Sequence, residues 1–288
     1  MKRLFLFLSI GLFCGPSFAQ DLTPFKLYQY DLKLINPAFA GIKNGHQFTS
    51  FVKRGVGDRA LLPTYLLFSY ETQLSGINSG IGVTFQNQPF HNWNQSDWRL
   101  SYNHQLKLQK AGNLVIGVNL DRKNVNHNSS VSLSPGASKL LYSNTDMDVG
   151  MVYHHNSFYG GVTINNIFNI QKSSDETIMS VREQRHLRFT STILGSKFQV
   201  NNWLSINPSI IYHHSLEWDI IDANFTSEIK NLFIVGFTRR FKSGSDIFSI
   251  NAGFNWKDKI QIVGIVHSNY FIDDSTVELS LRYRVHKD

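Results

Sequence analysis

Trp98-Arg99-Leu100-Ser101-Tyr102-Asn103-His104-Gln105-Leu106-Lys107-Leu108 reads with a period of two. In an extended chain successive side chains point to opposite faces, so Trp98, Leu100, Tyr102, His104, Leu106 and Leu108 share one face, and Arg99, Ser101, Asn103, Gln105 and Lys107 share the other. A dry sandwich core has no use for a face built of charge and amide. An apolar, aromatic face beside such a polar one suits a strand with lipid on one side and a wet lumen on the other. The pattern predicts an all-β fold, an antiparallel transmembrane β-barrel.

The same alternation recurs on both sides of this stretch. Ile81, Val83 and Phe85 oppose Gly82, Thr84 and Gln86, and Leu114, Ile116, Val118 and Leu120 oppose Gly117, Asn119 and Asp121. Further on, Leu187, Phe189 and Ile193 are set against Arg188, Thr190 and Thr192, and Leu204, Ile206, Ile210 and Tyr212 against Ser205, Asn207 and Ser209. Phe233, Val235 and Phe237 oppose Gly236 and Thr238, while Phe248, Ile250, Ala252, Phe254 and Trp256 oppose Ser249, Asn251 and Asn255. Val277, Leu279, Leu281, Tyr283 and Val285 against Glu278, Ser280, Arg282, Arg284 and His286 make a strongly amphipathic closing strand. Counted from His46, the segments come to about 14, an even number as barrel closure favours. Pro208 has no N–H to give to a ladder and marks a bulge or a rim position. Lys123 to Asp146 and Gln171 to Gln184 are the longest polar stretches, and tight connections such as Asn201-Asn202 and Lys257-Asp258 fall among them. Long outside loops and short periplasmic turns are the usual arrangement of such barrels.

Ahead of the strands, Met1-Lys2-Arg3 supplies a positive start, Leu4 to Phe13 an apolar run and Ser17-Phe18-Ala19 a small-x-small site, the layout of a secretory signal. This divides the 288 residues into a signal peptide over 1–19, an N-terminal periplasmic segment over 20–45 and a barrel over 46–288, one domain after cleavage. No later run approaches the roughly 18 apolar residues of a spanning helix, so any membrane crossing uses strands. The single cysteine, Cys14, leaves with the signal, which excludes disulfides and cysteine catalysis and agrees with an exported protein. Losing Lys2 and Arg3 takes the 28 Lys and Arg to 26 against 21 Asp and Glu, a net charge of +5. These charges are scattered, and without a basic stripe nucleic acid is a poor partner.

Two dipeptides, His154-His155 and His213-His214, suggest a metal, but neighbours on a strand face opposite ways and each pair places one imidazole in any one site. No Gly-x-Ser-x-Gly elbow or other spaced catalytic motif singles out a nucleophile. The reading is of a protein without enzymatic activity, metal or cofactor. Arg99, Lys107, Arg188, Arg282 and Arg284 fall on the polar face; they either line a pore or pair with Asp121 and Glu278 and fill the barrel.

Between signal and barrel lies Tyr28-Gln29-Tyr30-Asp31-Leu32-Lys33-Leu34-Ile35-Asn36-Pro37-Ala38-Phe39-Ala40-Gly41. Asn36 can cap a turn with its side chain, Pro37 presets φ, and Gly41 permits a backbone conformation closed to other residues. This stretch, with its Asn-Pro-Ala-Phe-Ala-Gly, resembles the opening of the PorP/SprF family of type IX secretion outer-membrane proteins. Lys53-Arg54 with Pro63-Thr64 looks like that family's first hairpin. Arg185-His186 and Trp203 to Ser209 look like its middle region, and Thr276 to Arg284 like its closing strand. The chain departs from the family at Val277, where a His is usual, and at its His286-Lys287-Asp288 end, where an aromatic residue is common.

The resemblance implies a component of the Gram-negative outer membrane, embedded in its lipid. It would sit near the type IX translocon and periplasmic ring subunits and engage secreted cargo, adhesins among them, through a C-terminal sorting domain. Asn36, Pro37, Ala38 and Gly41 are then candidates for setting how the N-terminus enters the barrel or for touching a partner. A passive channel and an outer-membrane hydrolase remain as alternatives.

Overall fold

The computed structural model describes residues 26–56, 64–90, 93–127, 141–168, 170–173, 188–242, 246–269 and 275–286. The signal peptide, Pro63, Arg185-His186 and Leu187 lie outside these residues. The strands are β1 (His46–Val56), β2 (Tyr65–Leu74), β3 (Ser79–Phe90), β4 (Trp93–Lys107), β5 (Asn113–His127), β6 (Leu141–His155), β7 (Phe158–Asn165) and β8 (Ile170–Ser173). They continue as β9 (Phe189–Ser196), β10 (Phe198–Asn201), β11 (Leu204–His214), β12 (Asp219–Ile229), β13 (Phe233–Lys242), β14 (Ile247–Trp256), β15 (Ile260–Asn269) and β16 (Ser275–Val285).

Every neighbouring pair is antiparallel, and β1 closes the sheet on β16 with His46 opposite Val285 and Lys53 opposite Glu278. Two short strands complete staves rather than adding them. β8 pairs with the Tyr142–Thr145 half of β6, beyond the part that β7 covers, and β10 pairs with the foot of β11, beyond β9. The result is a closed barrel of 14 staves, as the alternation predicts. Pro208 sits in a gap: the β9–β11 ladder stops at Ser209 opposite Gly195, and the β10–β11 ladder resumes at Ile206 opposite Phe198. The residue without an N–H therefore stands where that side of the ladder is open.

One end of the barrel carries the short connections 75–78, 108–112, 156–157, 202–203, 230–232 and 257–259, together with the start of β1 and the end of β16. The other end carries the connections across 57–64, 91–92, 128–140, 166–188, 215–218, 243–246 and 270–274, the longest of the barrel among them. The polar stretch from Lys123 to Asp146 is shorter as a loop than its composition suggests, because Lys123–His127 belongs to β5 and Leu141–Asp146 to β6, paired in register. These strands run on past the apolar belt, where outward side chains no longer need to be apolar.

Outward positions hold Phe48, Phe68, Trp98, Leu100, Leu120, Ile210, Phe237, Ile250 and Leu279, all exposed. A continuous apolar surface of this kind is untenable in water and is what hydrocarbon requires. Inward positions hold Thr84, Ser101, Asn103, Asn119, Asp148, Thr163, Asn224, Thr238 and Asn251, all buried. The face assignment fails in β9. Phe189 and Ile193 point inward, with Ile193 1% exposed, while Leu194 is turned outward at 63%. Arg188 goes with the outward set and donates to the Ile167 carbonyl at 2.9 Å. The reason is that the lumen at this level is not wet: Ile193 packs there with Tyr28, Ile35 and Ile211.

Candidate functional site

The segment ahead of β1, expected as a lead-in from the periplasm, runs inside the barrel over its described part, from Lys26 onward. It folds as three single turns of 3-10 helix, Leu27–Tyr30, Leu32–Leu34 and Pro37–Phe39. Closing bonds run from Asp31 N–H to Tyr28 O at 2.8 Å, from Ile35 N–H to Leu32 O at 3.0 Å and from Ala40 N–H to Pro37 O at 3.1 Å. Short turns suit a segment that must present side chains in every direction. Leu27 packs with Phe51, Leu67, Ile234, Val263 and Ile265; Tyr28 and Ile35 with Ile193 and Ile211; Ala38 with Val115 and Val152. Contacts to strands all round the wall place this segment as a plug in the lumen.

Polar anchors hold its first half. Glu278 of β16, fully buried, accepts from the Lys26 amide at 2.9 and 2.8 Å and from the Leu27 amide at 3.0 Å. Its carboxylate also lies 3.0 Å from His267 Nε2 and 3.7 Å from Lys53 Nζ. Asp222 of β12 accepts from the Tyr28 hydroxyl at 2.5 Å and from Arg240 Nε and Nη2 at 2.6 Å each. Burial raises the Tyr28 phenol well above its ordinary range and the Asp222 charge raises it further, so Tyr28 stays a neutral donor. Lys33, 1% exposed, bonds to Ser69 Oγ and lies 3.3 Å from Asp31 and 3.5 Å from Glu71. Burial also raises the Asp31 carboxyl, with Lys33 opposing.

The second half is held by close backbone approach. Asn36 Oδ1 accepts the Ala38 amide at 2.9 Å and so caps the Pro37–Phe39 turn, with Pro37 at its first position. Asn36 Nδ2 donates outward to Val162 O at 3.0 Å and Met151 O at 3.3 Å, tying the cap to β7 and β6. The wall opposite is glycine. A Cβ on Gly117 would stand 2.5 Å from the Ala38 nitrogen, one on Gly150 would overlap the Asn36 side chain, and one on Gly80 would overlap the Ala40 carbonyl. Gly117 and Gly150 are paired directly across β5 and β6. Asn103 donates to the Ala38 carbonyl at 3.1 Å and also to that of Ala40. Gly41 turns the chain toward β1 at φ +59°, where a Cβ would run into the Thr72 carbonyl, and its amide donates to Glu71 at 3.1 Å.

The polar-face cations separate. Arg99 pairs with Asp121 at 2.5 Å, lies 3.7 Å from Asp148 and donates to Leu34 O at 3.3 Å. Glu278 is taken by the plug, Lys53 and His267 rather than by a neighbouring arginine on β16. Lys107 is exposed at the short-turn end. Arg282 and Arg284 donate to the amides of Gln261 and Gln47. The histidine pairs split across the wall: His213 is buried against Ser191 while His214 is outside against Asp219.

Sequence reasoning did not find the lumenal roles of Tyr28, Lys33, Asp222 and Arg240, nor the glycine cradle. A signal was present in runs where both faces are apolar, at Leu114-Val115-Ile116, Ile193-Leu194, Ile210-Ile211, Phe233-Ile234-Val235 and Ile262-Val263. A wet lumen does not call for inward Val115, Ile193, Ile211, Ile234 and Val263; a plug does.

A closed barrel with an apolar belt and a lumen occupied by its own N-terminal segment defines a plugged outer-membrane β-barrel protein. The model for "Type IX secretion system membrane protein PorP/SprF" matches residues 17–283, and the chain belongs to that family. No curated protein sequence matches it. Among solved structures it is similar in fold to the Acinetobacter baumannii outer membrane protein Omp33. That likeness has TM-score 0.54 and 7% identity, over 85% of this chain and 100% of that one. It is also similar to the Ralstonia pickettii toluene transporter TbuX, with TM-score 0.55 and 9% identity over 87% of this chain and 92% of that one. The CymD monoaromatic hydrocarbon channel gives TM-score 0.54 and 10% identity over 88% and 92%. Family and fold place the protein in the outer membrane.

Proposed function

We propose that the protein is a non-enzymatic docking or anchoring component of type IX secretion, holding secreted cargo near the translocon through the cargo's C-terminal sorting domain. The observation that carries this is the plug: segment 26–41 crosses the lumen and is bonded to β2, β4, β6, β7, β12, β14 and β16. A filled barrel contributes its rims and loops, and a binding role uses those. By the pattern of such barrels the short-turn end faces the periplasm and the ring subunits, and the long-loop end faces outward.

Affinity capture of the tagged protein from its own membranes, with mass spectrometry of what accompanies it, tests the proposal. Co-capture of translocon or ring subunits, or of a secreted protein bearing a sorting domain, is the expected result. Isolation of the barrel alone overturns it. The second reading is a passive channel, which has behind it a likeness of fold to a hydrocarbon channel and a toluene transporter. It requires steady conductance in a planar bilayer with the plug intact; the docking reading expects a closed barrel.

A further inference from the structure

The arginines of the lumen are not treated alike. Arg240 is held by Asp222 through two bonds, and Arg99 by Asp121 and Asp148. Arg282 and Arg284 are next-but-one neighbours on the inward face of β16, close to where that strand ends at the short-turn rim. Each gives one hydrogen bond to a neutral amide, Arg282 to Gln261 at 3.1 Å and Arg284 to Gln47 at 2.9 Å. Arg282 is 6% exposed, and its Nε and Nη2, like Nε of Arg284, are buried without a partner. Among the described residues neither guanidinium has a carboxylate within ion-pair distance.

The acids nearby are already engaged. Asp31 lies against Lys33, Glu71 takes the Gly41 amide and Lys33, Glu228 takes Lys197 at 2.9 Å, and Asp258 takes the Asn255 amide at 2.9 Å. Lys43, exposed at the same mouth, adds an amine whose ammonium Arg282, Arg284 and Lys197 push down and a bound anion pulls back up. Arg282 and Arg284 stand two residues apart on one strand face, about 7 Å between their backbone positions, and lean to opposite neighbours, β15 and β1, which leaves buried donors on both with no carboxylate in direct contact. A guanidinium fork accepts a carboxylate in two parallel bonds and is built for that geometry.

We propose that Arg282, Arg284 and Lys43 form an oxyanion site in the short-turn mouth of the barrel that takes the carboxylates of an acidic polypeptide segment. This deepens the docking proposal by giving one rim a ligand chemistry.

The test uses the full-length protein in nanodiscs with fluorescein-labelled hexaglutamate, hexaglutamine as control, and inorganic phosphate. Hexaglutamate is expected to bind and be displaced by salt, hexaglutamine not to bind, and Arg282→Gln with Arg284→Gln to weaken binding at least tenfold. Should that double variant fail to fold, Lys43→Gln, outside every strand, is expected to weaken binding several-fold. Equal binding by wild type and variants, or no binding of hexaglutamate, overturns the proposal. Binding of phosphate without hexaglutamate overturns it too and leaves a small-anion site. Failure of affinity capture with hexaglutamate still bound sinks docking and leaves this site; the reverse sinks this site alone.

Discussion

At its Lys26 end the plug is held by charge, with two backbone amides on Glu278 and the Tyr28 hydroxyl on Asp222. At its Gly41 end it is held by fit, with the Ala38 backbone laid against Gly117 and the Asn36 side chain against Gly150. The first end depends on side chains that the wall sends inward, the second on side chains that the wall leaves out. A charge buried in a low-dielectric lumen is costly to strand, whereas a missing Cβ contributes only space. The two ends therefore differ in what breaks them, and a substitution can loosen one while the other keeps its place.

The largest effect is expected from Glu278→Ala. It removes the carboxylate that Lys53, His267 and two amides of the plug share, and removing one partner of a buried ionic cluster costs about 3–5 kcal/mol. The urea midpoint of the refolded protein should fall accordingly, and planar-bilayer recordings should show openings absent from the wild type. A variant that stays closed and equally stable would mean that the charged end contributes nothing to the seal. Gly117→Val comes next. Its side chain meets backbone, which cannot swing aside as a side chain can, and overpacking of this kind costs about 1–3 kcal/mol. Here the cap should lift from β5 and β6 while the Glu278 bonds persist. Limited proteolysis ought then to cut near Asn36 before it cuts near Lys26. Tyr28→Phe removes one hydrogen bond to a charged acceptor, about 1.5–3 kcal/mol, but leaves Asp222 its two bonds from Arg240, so the lower end of that range is expected.

The wall was legible and its filling was not, for reasons that particular residues display. Trp98 to Leu108 declared its faces because each side chain answers to one environment, lipid or lumen. Val115, Ile193 and Ile211 answer to a third, the dry surface of the plug, and period-two reasoning has no place for it. In β9 this misassigned Phe189 and Ile193, since an inward apolar residue looks the same as an outward one. Arg99 with Asp121 was within reach because they are cross-strand partners on adjacent strands. Tyr28 with Asp222 lies 194 positions apart in sequence and follows from no local spacing. The Asn36-Pro37 turn could be read from its own residues, but not that the wall opposite would be bare: Gly117 and Gly150 look like ordinary strand glycines until Ala38 and Asn36 are seen against them.

Asn36 offers the smallest effect and the finest division, because its two ends act on different partners. Oδ1 caps the turn through Ala38 N–H, while Nδ2 ties the turn to the carbonyls of Met151 and Val162. Asn36→Ser keeps an oxygen that can cap and gives up both bonds to the wall, of which the one to Met151 is long, so it should lose about 1–2 kcal/mol. Asn36→Ala loses the cap as well, a further 1 kcal/mol or so. If the two variants have the same urea midpoint, the cap has no weight and the wall bonds alone hold this end. If Ser matches the wild type, the wall bonds have none and the fit on Gly117 and Gly150 needs only a formed turn. A ladder of wild type, Ser and Ala is the outcome that gives the wall bonds and the cap each a share, and it makes the Gly41 end a sum of small terms where the Lys26 end rests on the carboxylates of Glu278 and Asp222.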